Sequence, residues 1–191
     1  LLVLPEMPGG NGSAFVETSS FQGGGKVCSA LATAARQGIS SKLLAVCGDS
    51  RRSAFLVEDL RRHGVDPSAI RQLPGYQEGW SVVLSDAASG GRRILWHYDA
   101  LQPGLTAGDV DRFAGDIAGA EYLHLCRMDS ADRHAAEIAR ASDTKVCFDA
   151  DYYSQDAADS LRLTDILIGS EEFYRDLFPG GGEFEANVRT V

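Results

Sequence analysis

The residues of this 191-residue chain that could do chemistry fall in four places. Gly23-Gly24-Gly25-Lys26 stands just ahead of a small-residue stretch that includes Ser29. A glycine turn before a helix lets backbone N–H groups approach a ligand, and the same glycines equally permit a tight strand-to-helix connection. The turn is not a P-loop, since no second Gly-Lys-Ser/Thr follows at the required spacing, and it lacks the G-x-G-x-x-G of a dinucleotide site. Asp149 and Asp151 follow an apolar run, at the carboxyl end of a strand. Open α/β sheets collect ligands there, and Asp is also a favoured turn residue. Ser170-Glu171 reads as a helix N-cap followed by an acid that complements the helix dipole. Arg127 also follows a strand and suits either an anionic group on a substrate or plain solvation. His63, His97, His124 and His134 sit on different segments without metal-ligand spacing and take no role.

The elements that must position these residues are legible as alternating strands and helices. The first 22 residues are polar and punctuated by Gly and Pro, with alternation at Ala14-Phe15-Val16-Glu17-Thr18, and read as a short exposed sheet. Residues 27–37 form a small-residue helix with Gly38 in the stop position. Residues 41–48 are a buried strand, and 53–63 a helix ending in Arg61-Arg62-His63-Gly64, cations and glycine that suit a helix C-terminus. Runs at 80–84 and 93–98 flank a turn-rich link and predict a hairpin. Trp80, Val82 and Leu84, and Ile94, Trp96 and Tyr98, give each strand one apolar face. After Pro103 the pattern predicts helix 109–117, strand 122–126, helix 131–141, strand 145–148, a helical segment near 156–161, strand 166–168 and helix 171–178. Such alternation predicts parallel βαβ units: an α/β fold, Rossmann-like and three-layered (αβα), with a small β-sheet lid. The expected lid is 1–22 plus 79–99, and the expected core 23–78 plus 100–191.

Composition narrows the class further. The hydrophobic share is 44% and the charged share 24%, as in ordinary globular proteins. A net charge of −9 argues against a sequence-independent nucleic-acid binder, and no apolar run approaches the roughly 20 residues that span a bilayer. Cys28, Cys47, Cys126 and Cys147 are widely spaced with no C-x-x-C pair, so reduced thiols in a cytoplasmic protein are expected. The chain opens at Leu1 in what reads as a strand entered part-way, and ends in a helix barely begun after Gly180. A longer parent protein is therefore expected.

Over longer range the motifs come in a telling order. Gly24-Gly25-Lys26-Val27-Cys28-Ser29 is followed by Ala35-Arg36-Gln37-Gly38, Ala45-Val46-Cys47-Gly48-Asp49 and His63-Gly64-Val65-Asp66. Phe148-Asp149-Ala150-Asp151 and Asp165-Ile166-Leu167-Ile168-Gly169-Ser170-Glu171 come next. This series resembles the ribokinase (PfkB-type) carbohydrate kinases, with their G-G-x-x-x-N, A-x-L-G, V-G-x-D-x-x-G, G-V-D, F-D-x-N and A-D-I-L-x-x-N/S-E segments. The chain departs from that pattern at several points. Ser29 stands where the family carries a sugar-binding Asn, Ser50 replaces the second acid after Gly48, and the next expected Gly is absent from Arg51-Arg52-Ser53-Ala54. The substrate-contacting Asp after the first strand and the G-A-G-D signature do not occur in the chain.

The resemblance implies an ATP-dependent sugar kinase that uses Mg²⁺, with its catalytic Asp and nucleotide-binding half beyond Val191. On that basis Gly24, Gly25, Ser29 and Arg127 are expected to bind a sugar-type substrate. Asp149, Asp151, Ser170 and Glu171 are expected near the phosphates and Mg²⁺, with Glu171 acting through metal-bound water. It also implies a lid that closes over the cleft and joins a second subunit in a homodimer. The departures motivate an alternative, a catalytically inactive sugar- or nucleoside-binding regulator on the same fold.

Overall fold

Parallel strands need a crossover connection, usually a helix, whereas a hairpin joins antiparallel ones, and this chain has pairs of both kinds. The computed structural model describes residues 1–98 and 103–190, which fall into two units, Leu1–Pro103 and Gly104–Val191. The boundary of the expected lid at 99, the first expected core residues at 100–102, and Val191 lie outside the described residues.

The first unit contains β1 (Leu2–Leu4), β2 (Thr18–Ser19), α1 (Lys26–Arg36), β3 (Ser41–Lys42), β4 (Ala45–Cys47) and α2 (Arg51–Arg62). It continues with β5 (Val65–Asp66), β6 (Ile70–Gln72), β7 (Trp80–Asp86) and β8 (Arg92–His97). A four-stranded sheet runs β2-β1-β7-β8, so the N-terminal segment and the hairpin share one sheet. Of the alternating stretch at 14–18 only Thr18 enters a strand; Phe15 is 91% exposed, because no partner covers it. The hairpin turn is held by Asp86, whose carboxylate accepts N–H bonds from Ala88 and Ser89 at 2.9 and 3.1 Å. Its register pairs Val82 with Leu95 and Ser81 with Trp96. The Trp80-Val82-Leu84 set and the Ile94-Trp96 set therefore lie on opposite faces of the sheet, a result that only strand register decides.

The single strand expected at 41–48 is two strands with different partners. β3 pairs in parallel with β5, and β4 with β6. The pairing segment turns between β5 and β6, where the Asp66 carboxylate accepts from the Ser68 N–H (2.8 Å) and hydroxyl (3.0 Å). That turn interrupts the ladder opposite Leu43-Leu44. Leu43, Leu60 and Val65 make the local core, with Leu31, Ala32 and Ala35 of α1 packed against it. α2 starts two residues earlier than expected, because Ser50 caps it.

The second unit contains α3 (Ala107–Arg112), α4 (Ala114–Ala118), β9 (Tyr122–Leu125), α5 (Ser130–Ala141) and β10 (Lys145–Ala150). It ends with α6 (Gln155–Asp159), a 3₁₀ turn (Leu161–Leu163), β11 (Ile166–Gly169), α7 (Glu171–Leu177) and α8 (Phe184–Val188). The helix expected at 109–117 is two helices: a Thr106–Asp109 capping box starts α3, and Phe113, at φ −114° and ψ 18°, breaks it from α4. The parallel sheet runs β11-β10-β9. Val146, Phe148 and Ala150 of the central strand are at most 2% exposed, and Ala131, Ala135, Ala136 and Ala139 of α5 are buried alongside. Small residues on one helix face allow that close approach. No helix among the described residues is long and apolar enough to cross a membrane.

Candidate functional site

In the first unit the glycine turn opens α1. Gly25 is the N-cap residue at φ 97° and ψ 143°, and no side chain caps the helix. That backbone conformation is open to glycine and strained for any residue with a Cβ. Gly24 is different: it is exposed, and a Cβ there would meet no atom within 4 Å. Packing therefore makes no demand for glycine at 24, whereas the chain direction demands it at 25. Ser29 is exposed one turn further on, its N–H donating to the Gly25 carbonyl at 3.0 Å. The turn itself is tied down where the Gly23 N–H donates to Asp59 Oδ2 at 2.9 Å.

The β4–α2 junction, where the Gly48-Asp49 motif lies, carries a hydrogen-bond network to residues 75–78. A Cβ on Gly48 would overlap the Tyr76 carbonyl oxygen, so glycine is required there by close approach. Asp49 Oδ1 accepts from the Gly75 N–H at 3.1 Å. Ser50 Oγ caps α2 by accepting from the Arg52 and Ser53 N–H groups, both at 3.1 Å, and donates to Glu78 Oε1 at 2.8 Å. Ser53 Oγ, fully buried, donates to Glu78 Oε2 at 2.5 Å. Burial pushes the Glu78 carboxyl upward, but the Ser53 hydroxyl, its own backbone N–H, the Ser50 hydroxyl and the Arg52 charge together hold it below the usual range. Nothing in its own stretch of sequence marks Glu78, because its partners lie 25 and 28 residues back in the chain.

In the second unit the candidate residues gather at one edge. Parallel pairing aligns Phe148 with Leu125 and Ala150 with Gly169, so Arg127, Asp149, Asp151, Ser170 and Glu171 all belong to the carboxyl end of the β11-β10-β9 sheet. Arg127 and Glu171 are exposed, and Asp149 and Asp151 half-buried. Ser170 is structurally committed: its hydroxyl donates to the Asp151 carbonyl at 2.7 Å and accepts from the Phe173 N–H at 3.0 Å, capping α7. Glu171 is the acid of that helix's first turn. Two residues before Asp149, the Cys147 thiol is pushed up by burial and by the Asp149 charge.

Sequence reasoning passes over Asp132, three residues past the Asp129 cap of α5. Its Oδ2 is buried without a hydrogen-bond partner. Burial first, then the Asp129 charge, push its carboxyl up to about 6, with Arg127 pulling the other way. The D-x-x-D spacing is the one signal that could have found it. Among the described residues no three His, Cys, Asp or Glu side chains converge as a metal cage. An apolar groove of about 340 Å³ by β11, α7 and α8 includes Gly169 and Phe173 in its wall but none of the candidate residues. Gly24, Gly25 and Ser29 thus belong to one unit, and the other five candidates to the second.

An α/β chain that gathers acids, an Arg and a capped helix start at the carboxyl ends of parallel strands belongs to the ligand-binding α/β class. More specifically, the chain belongs to the pfkB family of carbohydrate kinases, which matches residues 8–178. Solved structures agree on a ribokinase-like α/β fold. An Agrobacterium tumefaciens protein described as a candidate ribokinase superposes with TM-score 0.79 at 21% identity, over 99% of this chain and 61% of the other. Arabidopsis thaliana ribokinase, solved with ribose and ATP, gives 0.70 at 18% over 100% and 62%. Xylella fastidiosa fructokinase gives 0.70 at 17% over 98% and 62%. The chain thus spans about three fifths of these structures' length. No curated protein matches the sequence.

Proposed function

We propose that this chain is the sugar-binding part of a cytoplasmic, ATP-dependent carbohydrate kinase that passes the γ-phosphoryl group of ATP to a sugar-type hydroxyl. The observation that carries this reading is the Gly24-Gly25 turn, open to solvent at the uncapped start of α1, in a chain of this family. Backbone N–H groups at the turn would donate to sugar hydroxyls, with the Ser29 hydroxyl as donor or acceptor beside them. Ser29 reaches less far than the Asn of the family pattern, so a water or a bulkier acceptor would fill the gap. Arg127, exposed at the sheet edge, would pair with an anionic group of the acceptor.

Phosphoryl transfer is governed by positioning and by neutralising charge on the transferred group. Asp149, Asp151 and Glu171 offer hard oxygen donors on one edge, a donor set that fits Mg²⁺ held mainly by phosphates and water. When bound, Mg²⁺ neutralises charge on the phosphate oxygens. Ser170 fixes the Asp151 backbone against α7 and so orients that edge. No residue described above is assigned as the base that takes the hydroxyl proton.

The four-stranded sheet is proposed as a lid. It carries apolar side chains on both faces, including Trp80 and Leu95 on one and Trp96 on the other, all more than 40% exposed. One face suits a substrate cleft and the other a second copy in a homodimer. The test is an assay of the protein carrying this sequence with ATP, Mg²⁺ and a panel of aldoses, ketoses, keto-deoxy sugars, nucleosides and sugar phosphates. Acceptor-dependent ADP release supports the reading. Sugar binding without ADP release favours the inactive regulator that Ser29 and Ser50 suggest, and neither result rejects both.

A further inference from the structure

We propose that Glu78 is a positioning residue that clamps the linker entering the four-stranded sheet onto the start of α2, with the Ser50 and Ser53 hydroxyls as its partners. Counted from Gly48, the G-x-D-x-x-G register puts its acid at Ser50 and its second glycine at Ser53. The two departures from that pattern are therefore the two hydroxyls that meet Glu78, at 2.8 and 2.5 Å. An Asp at 50 would set one carboxylate against another, and a Gly at 53 would delete the shorter bond. Ser50, Ser53 and Glu78 make sense only as a set.

The clamp is one of several fastenings on the same few residues. Along the linker, the Leu73 N–H donates to the Cys47 carbonyl at 2.9 Å and the Gly75 N–H to Asp49 at 3.1 Å. The Tyr76 carbonyl fills the space of a Cβ on Gly48, and the Arg52 guanidinium lies 5.3 Å from the Trp80 ring centre. The chain's other crossing, from β2 to α1, is fastened to the same helix. Phe21 lies 4.5 Å from Phe55 between ring centres, and the Gly23 N–H binds Asp59 at 2.9 Å. Both connections of the sheet to the helical part of the first unit are thus held by α2 and its cap. The clamp stands on this geometry; its bearing on the substrate rests on the lid reading proposed above.

Hydrogen exchange read by mass spectrometry on the 191-residue chain tests it, with residues 145–150 of the second unit as the internal control. Glu78→Ala should speed exchange across residues 73–80 about tenfold or more, the scale of a lost hydrogen bond to a charged group. Ser53→Ala, which keeps the Ser50 cap, should speed exchange in the same segment, and Glu78→Ala should add less in that background than it does alone, since the two share one hydrogen bond. Ser50→Asp should loosen the linker as Glu78→Ala does, and Glu78→Gln in that background should restore protection by removing the like charge. If Glu78→Ala does not fold, the Ser50→Asp and Ser50→Asp/Glu78→Gln comparison decides alone. Unchanged exchange in 73–80, or effects that multiply independently, overturns the clamp. Faster exchange with unchanged sugar affinity in the protein carrying this sequence keeps the clamp and refutes the lid reading instead.

Discussion

Gly24 and Gly25 are neighbours with opposite physical demands, and that contrast separates ligand contact from chain geometry. At Gly25 the backbone stands at φ 97° and ψ 143°, and a Cβ would also come within 4.0 Å of Cys28 Sγ. The contact is ordinary, so the cost is conformational: Gly25→Ala should lose about 1–3 kcal/mol of stability. With a urea slope on the order of 2 kcal/mol per molar for a small domain, the midpoint falls by about 0.5–1.5 M. Gly24 is not among the positive-φ residues and a Cβ there enters open space, so Gly24→Ala should stay within about 0.5 kcal/mol of the parent. If a sugar packs against that turn, however, the new methyl stands where the ligand must sit. Overpacking costs about 1–3 kcal/mol, equivalent to roughly 5- to 150-fold in affinity. Urea unfolding followed by circular dichroism measures the first quantity, and calorimetric titration of the protein with its acceptor sugar the second. Gly24→Ala with parental stability and sugar affinity within about twofold of the parent would show that the glycines serve only the connection.

Other expectations are independent of that pair. The Asp132 carboxyl is raised to about 6 in the folded state, so its protonated form is favoured there. Its contribution is full below the unfolded value near pH 4 and is lost as pH rises through about 6; Asp132→Asn should therefore stabilise at pH 8 by on the order of 2–3 kcal/mol and by far less at pH 4, read as midpoint shifts. Asp165 has the opposite sign. The Val146 N–H, then the Lys145 and Arg140 charges, hold it below the usual range against the upward pull of burial. Asp165→Asn should cost stability at pH 7, and the difference from the parent should shrink as pH falls below about 4 through the folded-state value. Trp96→Glu should shift the protein towards monomer in sedimentation velocity, since Trp96 is 60% exposed on the face opposite Trp80; a parent that is monomeric at high concentration rejects the homodimer.

Features set by neighbours a few residues apart are legible in the amino-acid sequence itself. The Ser170 cap of α7, the stop at Gly38 after α1 and the alternation along β7 and β8 need only local periodicity, and they stand where expected. So does the parallel pairing of β9, β10 and β11, whose apolar runs alternate with helices as parallel crossovers require. The gathering of Asp149, Asp151, Ser170 and Glu171 follows from each ending or following a strand of one parallel sheet. What the sequence cannot contain is any relation that depends on where a distant segment lands. The hairpin register puts two apolar sets on opposite faces, although each strand alone shows one. The strand expected at 41–48 is split because its partner turns at Asp66, a constraint imposed from across the ladder. Burial of Asp132 comes from what packs over α5, and the Ser50–Ser53–Glu78 cluster joins residues 25 and 28 positions apart. Caps, turns and periodicities are short-range energetics written in consecutive residues. Register, burial and long-range hydrogen bonds exist only once the chain has closed its loops, so only the tertiary structure decided them.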